Sequence, residues 1–170
     1  VITIKKGDIT EEDVEVIVNA ANTQLKGGGG VDGAIHRAAG PSVLEECRKI
    51  TGGCPTGEAV MTNAGRLKAV KVIHTVGPVW SGGARRESEL LRRAYENSLS
   101  LAKQHGYKTI AFPAISTGVY GYPKREAAGI ALAAGLKFTE DFDEIRFLCF
   151  SEDDLALYLS IWASLNHETR

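Results

Sequence analysis

The sequence predicts an α/β fold, a sheet with helices on both faces, and two observations carry that expectation. Six short segments alternate apolar and polar residues or form compact apolar runs, and the stretches between them space their apolar residues at helical intervals. The strand segments lie near residues 1–6, 16–19, 59–62, 70–76, 109–113 and 145–150. Val31, Ala34, Ile35 and Ala38 begin a helical face that stops near Gly40 and Pro41, and Val43, Leu44 and Cys47 suggest a further turn or helix. Leu90, Leu91, Ala94, Tyr95, Ser98, Leu101 and Ala102 keep a helical period over 87–105, with Gly106 as the C-cap. Pro123 can open another helix through Ala134, and 155–165 gives a last amphipathic one.

In such sheets ligands sit where loops leave the C-terminal ends of strands. The two most glycine-rich connections occupy that position: Gly27 to Gly30 after the 16–19 strand, and Ser116 to Gly121 after the 109–113 strand. Residues 81–84 read as a surface loop, and no repeat or linker divides the chain, so its 170 residues are expected to form one domain, 1–170.

Hydrophobic residues make up 44% and charged residues 24%, which favours a soluble globular protein over a disordered or fibrous one. A net charge of −1 with dispersed Lys and Arg leaves no basic stripe for nucleic acid, although a nucleotide end could still be a substrate. The small-and-apolar run 127–136 is far short of the roughly 20 residues a bilayer crossing needs, and the start has no signal-peptide layout. A cytoplasmic protein is expected, with no membrane partner. Cys47, Cys54 and Cys149 are odd in number and lack a CxxC pair, which argues for reduced thiols over disulfides or structural zinc. His36, His74, His105 and His167 are scattered along the chain, so no metal is expected.

Residues 22–33 run Asn-Thr-Gln-Leu-Lys-Gly-Gly-Gly-Gly-Val-Asp-Gly. Gly28, Gly30 and Gly33 satisfy G-x-G-x-x-G, but Ala20 to Lys26 separate them from the strand, and no acid stands about twenty residues on, so a dinucleotide fold does not fit. No GK[ST] follows, which excludes a Walker P-loop. Bare amides wrapping phosphate oxygens at a helix N-terminus remain, and the loop with Gly118 and Gly121 would supply amides from the other side. Asp32 either caps the helix or works on the ligand, and no capping box supports the former, since Ile35 stands at its +3 position. Asn22 either forms a turn or meets a sugar hydroxyl.

Gly7-Asp8-Ile9-Thr10, Val18-Asn19-Ala20-Ala21-Asn22, Gly28 through His36, and Pro113 through Gly121 stand in the order found in macrodomains, and the resemblance runs from about Ile2 to Leu165. Asn22 followed after six residues by Gly29-Gly30-Val31-Asp32-Gly33 resembles the MacroD-type branch. The resemblance implies a three-layer α/β/α sandwich with a mixed, mostly parallel sheet and ADP-ribose in a crevice across its top. It implies metal-independent hydrolysis at the terminal ribose without a cofactor: removal of mono-ADP-ribose from acidic side chains, and deacetylation of O-acetyl-ADP-ribose. Partners would be ADP-ribose, O-acetyl-ADP-ribose and mono-ADP-ribosylated proteins, with ADP-ribosylated nucleic-acid ends as a further candidate, acted on by a monomer.

The same resemblance places Asp8 and the Ile9 amide at adenine, although Asp8 also suits a turn. Asn22 and Asp32 would face the terminal ribose as the catalytic pair. Gly28, Gly29, Gly30 and Val31 would form one phosphate loop, and Ser116, Thr117, Gly118, Val119 and Tyr120 the other, with the Ser116 and Thr117 hydroxyls on phosphate. Tyr120 would pack on the terminal ribose or serve as a core aromatic, and Phe150 would lie against adenine. No G-x-S-x-G elbow surrounds Ser116 and Thr117 and no His lies close in sequence, which argues against a Ser-His-Asp hydrolase. A non-catalytic ADP-ribose reader and an ADP-ribose 1″-phosphate phosphatase stand as alternatives.

Overall fold

The six apolar segments pair into one sheet in the computed structural model, which describes residues 1–168. They form β1 (Ile2–Lys6), β2 (Val16–Ala20), β3 (Ala59–Asn63), β4 (Lys71–Thr75), β5 (Thr109–Phe112) and β6 (Glu144–Cys149). The strand order is β1-β6-β5-β2-β4-β3; β3 runs antiparallel to β4 and the other pairings are parallel. The short apolar runs are explained by burial on both faces: Val16, Ile17 and Val18, on alternating sides of β2, are all fully buried.

Five helices complete three layers: α1 (Gly30–Ala39), α2 (Pro41–Arg48), α3 (Glu87–Gln104), α4 (Lys124–Lys137) and α5 (Glu152–Glu168). The first two cover one face of the sheet and the other three the opposite face. The starts of α1 and α5 differ from the sequence reading. α1 starts at Gly30, because Gly29 is its extended N-cap and Asp32 already lies in the first turn. α5 starts ahead of its apolar period, with Glu152, Asp153 and Asp154 in the first turn, where carboxylates favour the helix N-terminus. Residues 169–170, and the side-chain surroundings of His167, lie outside the described residues. No described helix is long and apolar enough to cross a membrane. Cys47, Cys54 and Cys149 are free and buried.

Under α3 to α5 the core is aromatic. Phe112 stacks on Phe147 at 5.6 Å between centroids, and Tyr95 tilts against Phe112 at 5.1 Å. The Tyr95 hydroxyl, fully buried, accepts from the Ile115 N–H at 3.1 Å and faces the Pro113 carbonyl at 3.4 Å. An α3 side chain thereby holds the loop after β5 from behind.

Two hydrogen-bonded carboxylate clusters fix the periphery. Glu87, at the start of α3, accepts from the backbone N–H groups of Ser81, Gly83 and Arg85, which hold its carboxyl below the ordinary glutamate range. Arg146 on β6 bonds Glu144, Glu12 and Asp13, and that contact lowers the Glu144 carboxyl, helped by the Thr3 hydroxyl. Lowered carboxyls contribute stability that is present above their unfolded value of 4.5 and lost as pH falls through the folded value. Urea unfolding should therefore show stability falling as the pH drops below about 4.5. Glu87→Gln should be less stable at neutral pH and fall less over that interval; an acid limb identical to wild type would remove Glu87 from it.

Candidate functional site

Parallel β2 and β5 are neighbours, so the loops leaving their C-terminal ends face each other across the top of the sheet. Between them lies a hollow of about 460 Å³ lined by Asn22, Gly28, Gly29, Gly30, Val31 and Asp32 on one side and Ile115, Ser116, Gly118, Val119 and Tyr120 on the other. A second hollow of about 660 Å³ adjoins it, lined by Asp8, Ile9, Thr117, Leu148 and Phe150 among others. The two share Gly30, Val31, Pro113, Ala114 and Gly118, so they form one cleft. All fourteen residues singled out from the sequence line it.

The glycine run is shaped by what it packs against. Gly30 has φ +57 and open space where a side chain would stand, which suits the first residue of a helix lying bare along a cleft. A Cβ on Gly33, one turn on, would collide with the Gly28 carbonyl oxygen, so the loop is seated directly on α1. Asn22 makes the turn that leads in: its Oδ1 accepts from the Lys26 N–H at 3.1 Å and its Nδ2 donates to the Gly27 carbonyl at 2.9 Å. The turn-forming use is thus what its side chain does, at the edge of the cleft.

Several polar side chains expected on a ligand are likewise bonded to nearby groups of the protein. Asp8 Oδ1 accepts from the Thr10 N–H and hydroxyl, so Asp8 caps the short 3-10 turn Ile9–Glu11. The Ser116 hydroxyl donates to the Pro78 carbonyl at 2.8 Å and that of Thr117 to the Ala114 carbonyl at 3.2 Å. Both hydroxyls thus bond protein carbonyl oxygens in this structure. Ser116 sits at φ +68, 6% exposed, with its hydroxyl against Gly77, where no side chain fits. Tyr120 is half-buried, and the core aromatic of this loop is Tyr122, whose ring lies 4.8 Å from that of Trp80. Val119 is fully exposed, and Phe150 is 89% exposed at the far end of the cleft.

Asp32 does not cap α1. Its side chain turns inward, 7% exposed, and Oδ1 accepts from Asn19 Nδ2 at 2.8 Å with His36 Nε2 at 3.2 Å. Oδ2 faces the glycine loop, 3.4 Å from where a Cβ on Gly28 would stand. One oxygen is therefore anchored and the other is presented to the cleft, the form a carboxylate needs to accept a proton from water or a hydroxyl.

Asn19, His36 and His74 carry this anchoring, and sequence reasoning gave none of them a role. His36 could have been found from its i,i+4 spacing to Asp32 on one helix. Asn19, fully buried between Val18 and Ala20 on a strand, was a polar residue in an apolar run. His74 is 1% exposed on β4, its Nδ1 3.1 Å from Asn19 Nδ2 and its Nε2 2.9 Å from Thr62 Oγ1. Burial, and then His36 beside it, push the His74 imidazole down to about 3, so it is neutral at any working pH.

The fold gathers residues that the sequence leaves scattered: His36, Cys47 and His74 offer ligand atoms within 4.8 Å of one another. The donor set does not suit a metal. His74 Nδ1 takes the Asn19 hydrogen, so Nε2 carries its own hydrogen and gives it to Thr62, whose hydroxyl donates on to the Asn63 carbonyl at 2.9 Å. Neither ring nitrogen has a free lone pair. Burial, with Asp32 and Glu46 nearby, pushes the Cys47 thiol up to about 11, so no thiolate is ready.

Residues 18–131 match the model of the Macro domain. An O-acetyl-ADP-ribose deacetylase of Klebsiella pneumoniae is 56% identical over 164 residues, covering 93% of this chain and 94% of that protein. The Oceanobacillus iheyensis macrodomain solved with ADP superposes with TM-score 0.91 at 44% identity, covering 96% of this chain and 90% of that one. The Trypanosoma brucei macrodomain in complex with ADP-ribose superposes with TM-score 0.88 at 45% identity, over 94% and 68% of the two chains. With that match over most of its length, on a sheet whose top carries the two glycine loops, the chain belongs to the Macro domain family.

Proposed function

We propose that this protein binds ADP-ribose along the cleft and hydrolyses ester bonds at the terminal ribose, deacetylating O-acetyl-ADP-ribose and removing mono-ADP-ribose from acidic side chains. The observation that carries the reading is Asp32, with Oδ1 anchored by Asn19 and His36 and Oδ2 turned to the cleft. The relatives named O-acetyl-ADP-ribose deacetylases at 56% identity support the first activity. The second follows from the shared ester chemistry, and ADP-ribosylated nucleic-acid ends would present the same ADP-ribose part.

Asp8, Ile9 and Phe150 take the adenine end of the cleft. The amides of Gly28 to Val31 and of Ser116 to Val119 take the diphosphate, with the N-terminus of α1 aimed at it. Tyr120 packs on the terminal ribose, and Asn22 and Asp32 stand beside its ester. Asp32 accepts a proton from a water as the water oxygen adds to the ester carbonyl carbon. The bond from the carbonyl carbon to the ribose oxygen then breaks and the ribose oxygen leaves with that proton, giving ADP-ribose and acetic acid, which ionises to acetate in water. No step calls on a metal or cofactor. The whole chain, 1–170, acts as one domain and as a monomer in the cytoplasm, which the three free, buried thiols suit.

Release of ADP-ribose from O-acetyl-ADP-ribose and from a glutamate-linked mono-ADP-ribosylated protein, measured with chelator present, tests the reading. Asp32→Ala should lower kcat about 10²–10⁴-fold with ADP-ribose affinity nearly intact. Tight ADP-ribose binding without turnover by wild type would instead make the protein a reader. Gly33→Ala should force the Gly28 carbonyl off α1, an overpacking worth about 1–3 kcal/mol. Titration calorimetry should then show ADP-ribose binding about 10-fold weaker; wild-type affinity would mean the loop seat is immaterial.

A further inference from the structure

Three polar side chains form a row across β2, β4 and β3 in a layer that is otherwise apolar: Asn19, His74 and Thr62, each 1% exposed or less. Asn19 and His74 are partners in the parallel register of β2 and β4. Thr62 stands two residues along β3 from Val60, the register partner of His74, and so projects to the same side. Burying such a row costs desolvation unless each member is bonded. Its hydrogens run in one direction from each end of the ring: Asn19 to His74 Nδ1, and His74 Nε2 to Thr62 and on to the Asn63 carbonyl.

We propose that His74 is a positioning residue for the Asp32 carboxylate, acting through Asn19, with Thr62 fixing its tautomer. The proposal rests on the reading of Asp32 given above. Asn19 has two amide hydrogens; His74 Nδ1 takes one, which sets the amide plane so that the other points at Asp32 Oδ1. Without an acceptor at that point the amide can turn over, and its own oxygen would then face the carboxylate and repel it. Asn19 Oδ1 itself is buried without a partner among the described residues, so the amide is held the right way round only from its nitrogen, by His74 Nδ1 and Asp32 Oδ1. His74 lines neither hollow of the cleft, so it acts on the ligand only through this chain. The groups facing its ring are His36 of α1 at 6.1 Å between centroids, and Cys47 and Glu46 of α2; none converts it to a proton carrier at working pH.

Two substitutions separate the roles of the ring nitrogens. His74→Asn keeps an amide near the place of Nδ1 and can still accept from Asn19, whereas His74→Gln reaches the place of Nε2 and bonds Thr62 alone. With O-acetyl-ADP-ribose, His74→Asn should keep kcat within a few-fold of wild type. His74→Gln should lose about 10–100-fold, the scale of a misplaced catalytic group. KM and ADP-ribose affinity should be unchanged in both. Thr62→Val, with Thr62→Ser as the rescue, should lower kcat in the same way, and nitrogen NMR of the wild-type ring should show hydrogen on Nε2 only. Equal kcat for the Asn and Gln variants, a rise in KM, losses that follow thermal stability alone, or hydrogen on Nδ1 would each overturn the proposal. Asp32→Ala in the same assay tells the failures apart, because full turnover there would remove the role of Asp32 itself.

Discussion

A carboxylate drawn out of water against the edge of a sheet is tenable only where hydrogen-bond donors meet it, and here the decisive donor is Asn19. The 2.8 Å bond from its amide to Asp32 Oδ1 joins the C-terminal end of β2 to the first turn of α1, the two elements that bracket the glycine loop. His36, one helical turn beyond Asp32, closes on the same oxygen. With Oδ1 occupied from behind, rotation of the carboxylate is restricted and Oδ2 is left at the cleft. The direction of the loop, the depth of α1 and the orientation of the acid are therefore set together.

The same division of labour recurs along the cleft. Asn22, Asp8, Ser116 and Thr117 spend their side-chain hydrogen bonds on neighbouring backbone, which fixes the shape of each loop. What the loops then present is main chain, with little side chain in the way at Gly29, Gly30 and Gly118. A diphosphate with four or more acceptor oxygens suits such a wall better than a cluster of arginines, because preset amides need no side-chain ordering when the ligand arrives. Tyr95 serves the same end from the core, holding the Ile115 amide and so the base of the second loop.

Much of this was legible in the sequence. The six strands, the helices between them and the cleft-lining connections follow from periodicity and glycine placement, because each is a property of neighbouring residues. Asn22, Asp32 and the two loops could be singled out for the same reason, with the family resemblance supplying their order, and the fold brings them to one cleft. Asp32 was ambiguous between cap and acid because N-cap preference depends only on residue type, while the actual cap, Gly29, works through an extended backbone without a side-chain bond. His74 was beyond reach, since its meaning depends on β4 lying beside β2 in a register that pairs it with Asn19. Fifty-five residues separate the two in the chain, and no local pattern reports which strands adjoin.

The buried polar row also bears on the choice between a protein that binds ADP-ribose and one that turns it over. Apolar side chains of similar shape in place of Asn19, His74 and Thr62 would pack between α1 and α2 without any desolvation to offset, and substitutions of that kind are often neutral or stabilising. Binding a diphosphate on backbone amides gains nothing from the row, and it gains nothing from an acid that repels the ligand. What the row does provide is a fixed amide hydrogen for Asp32 Oδ1, which matters where the other oxygen of that carboxylate must stand at one place and remain basic. The interior polarity of this sheet is thus intelligible as the support of a reacting group, and a binding wall alone gives no reason for it.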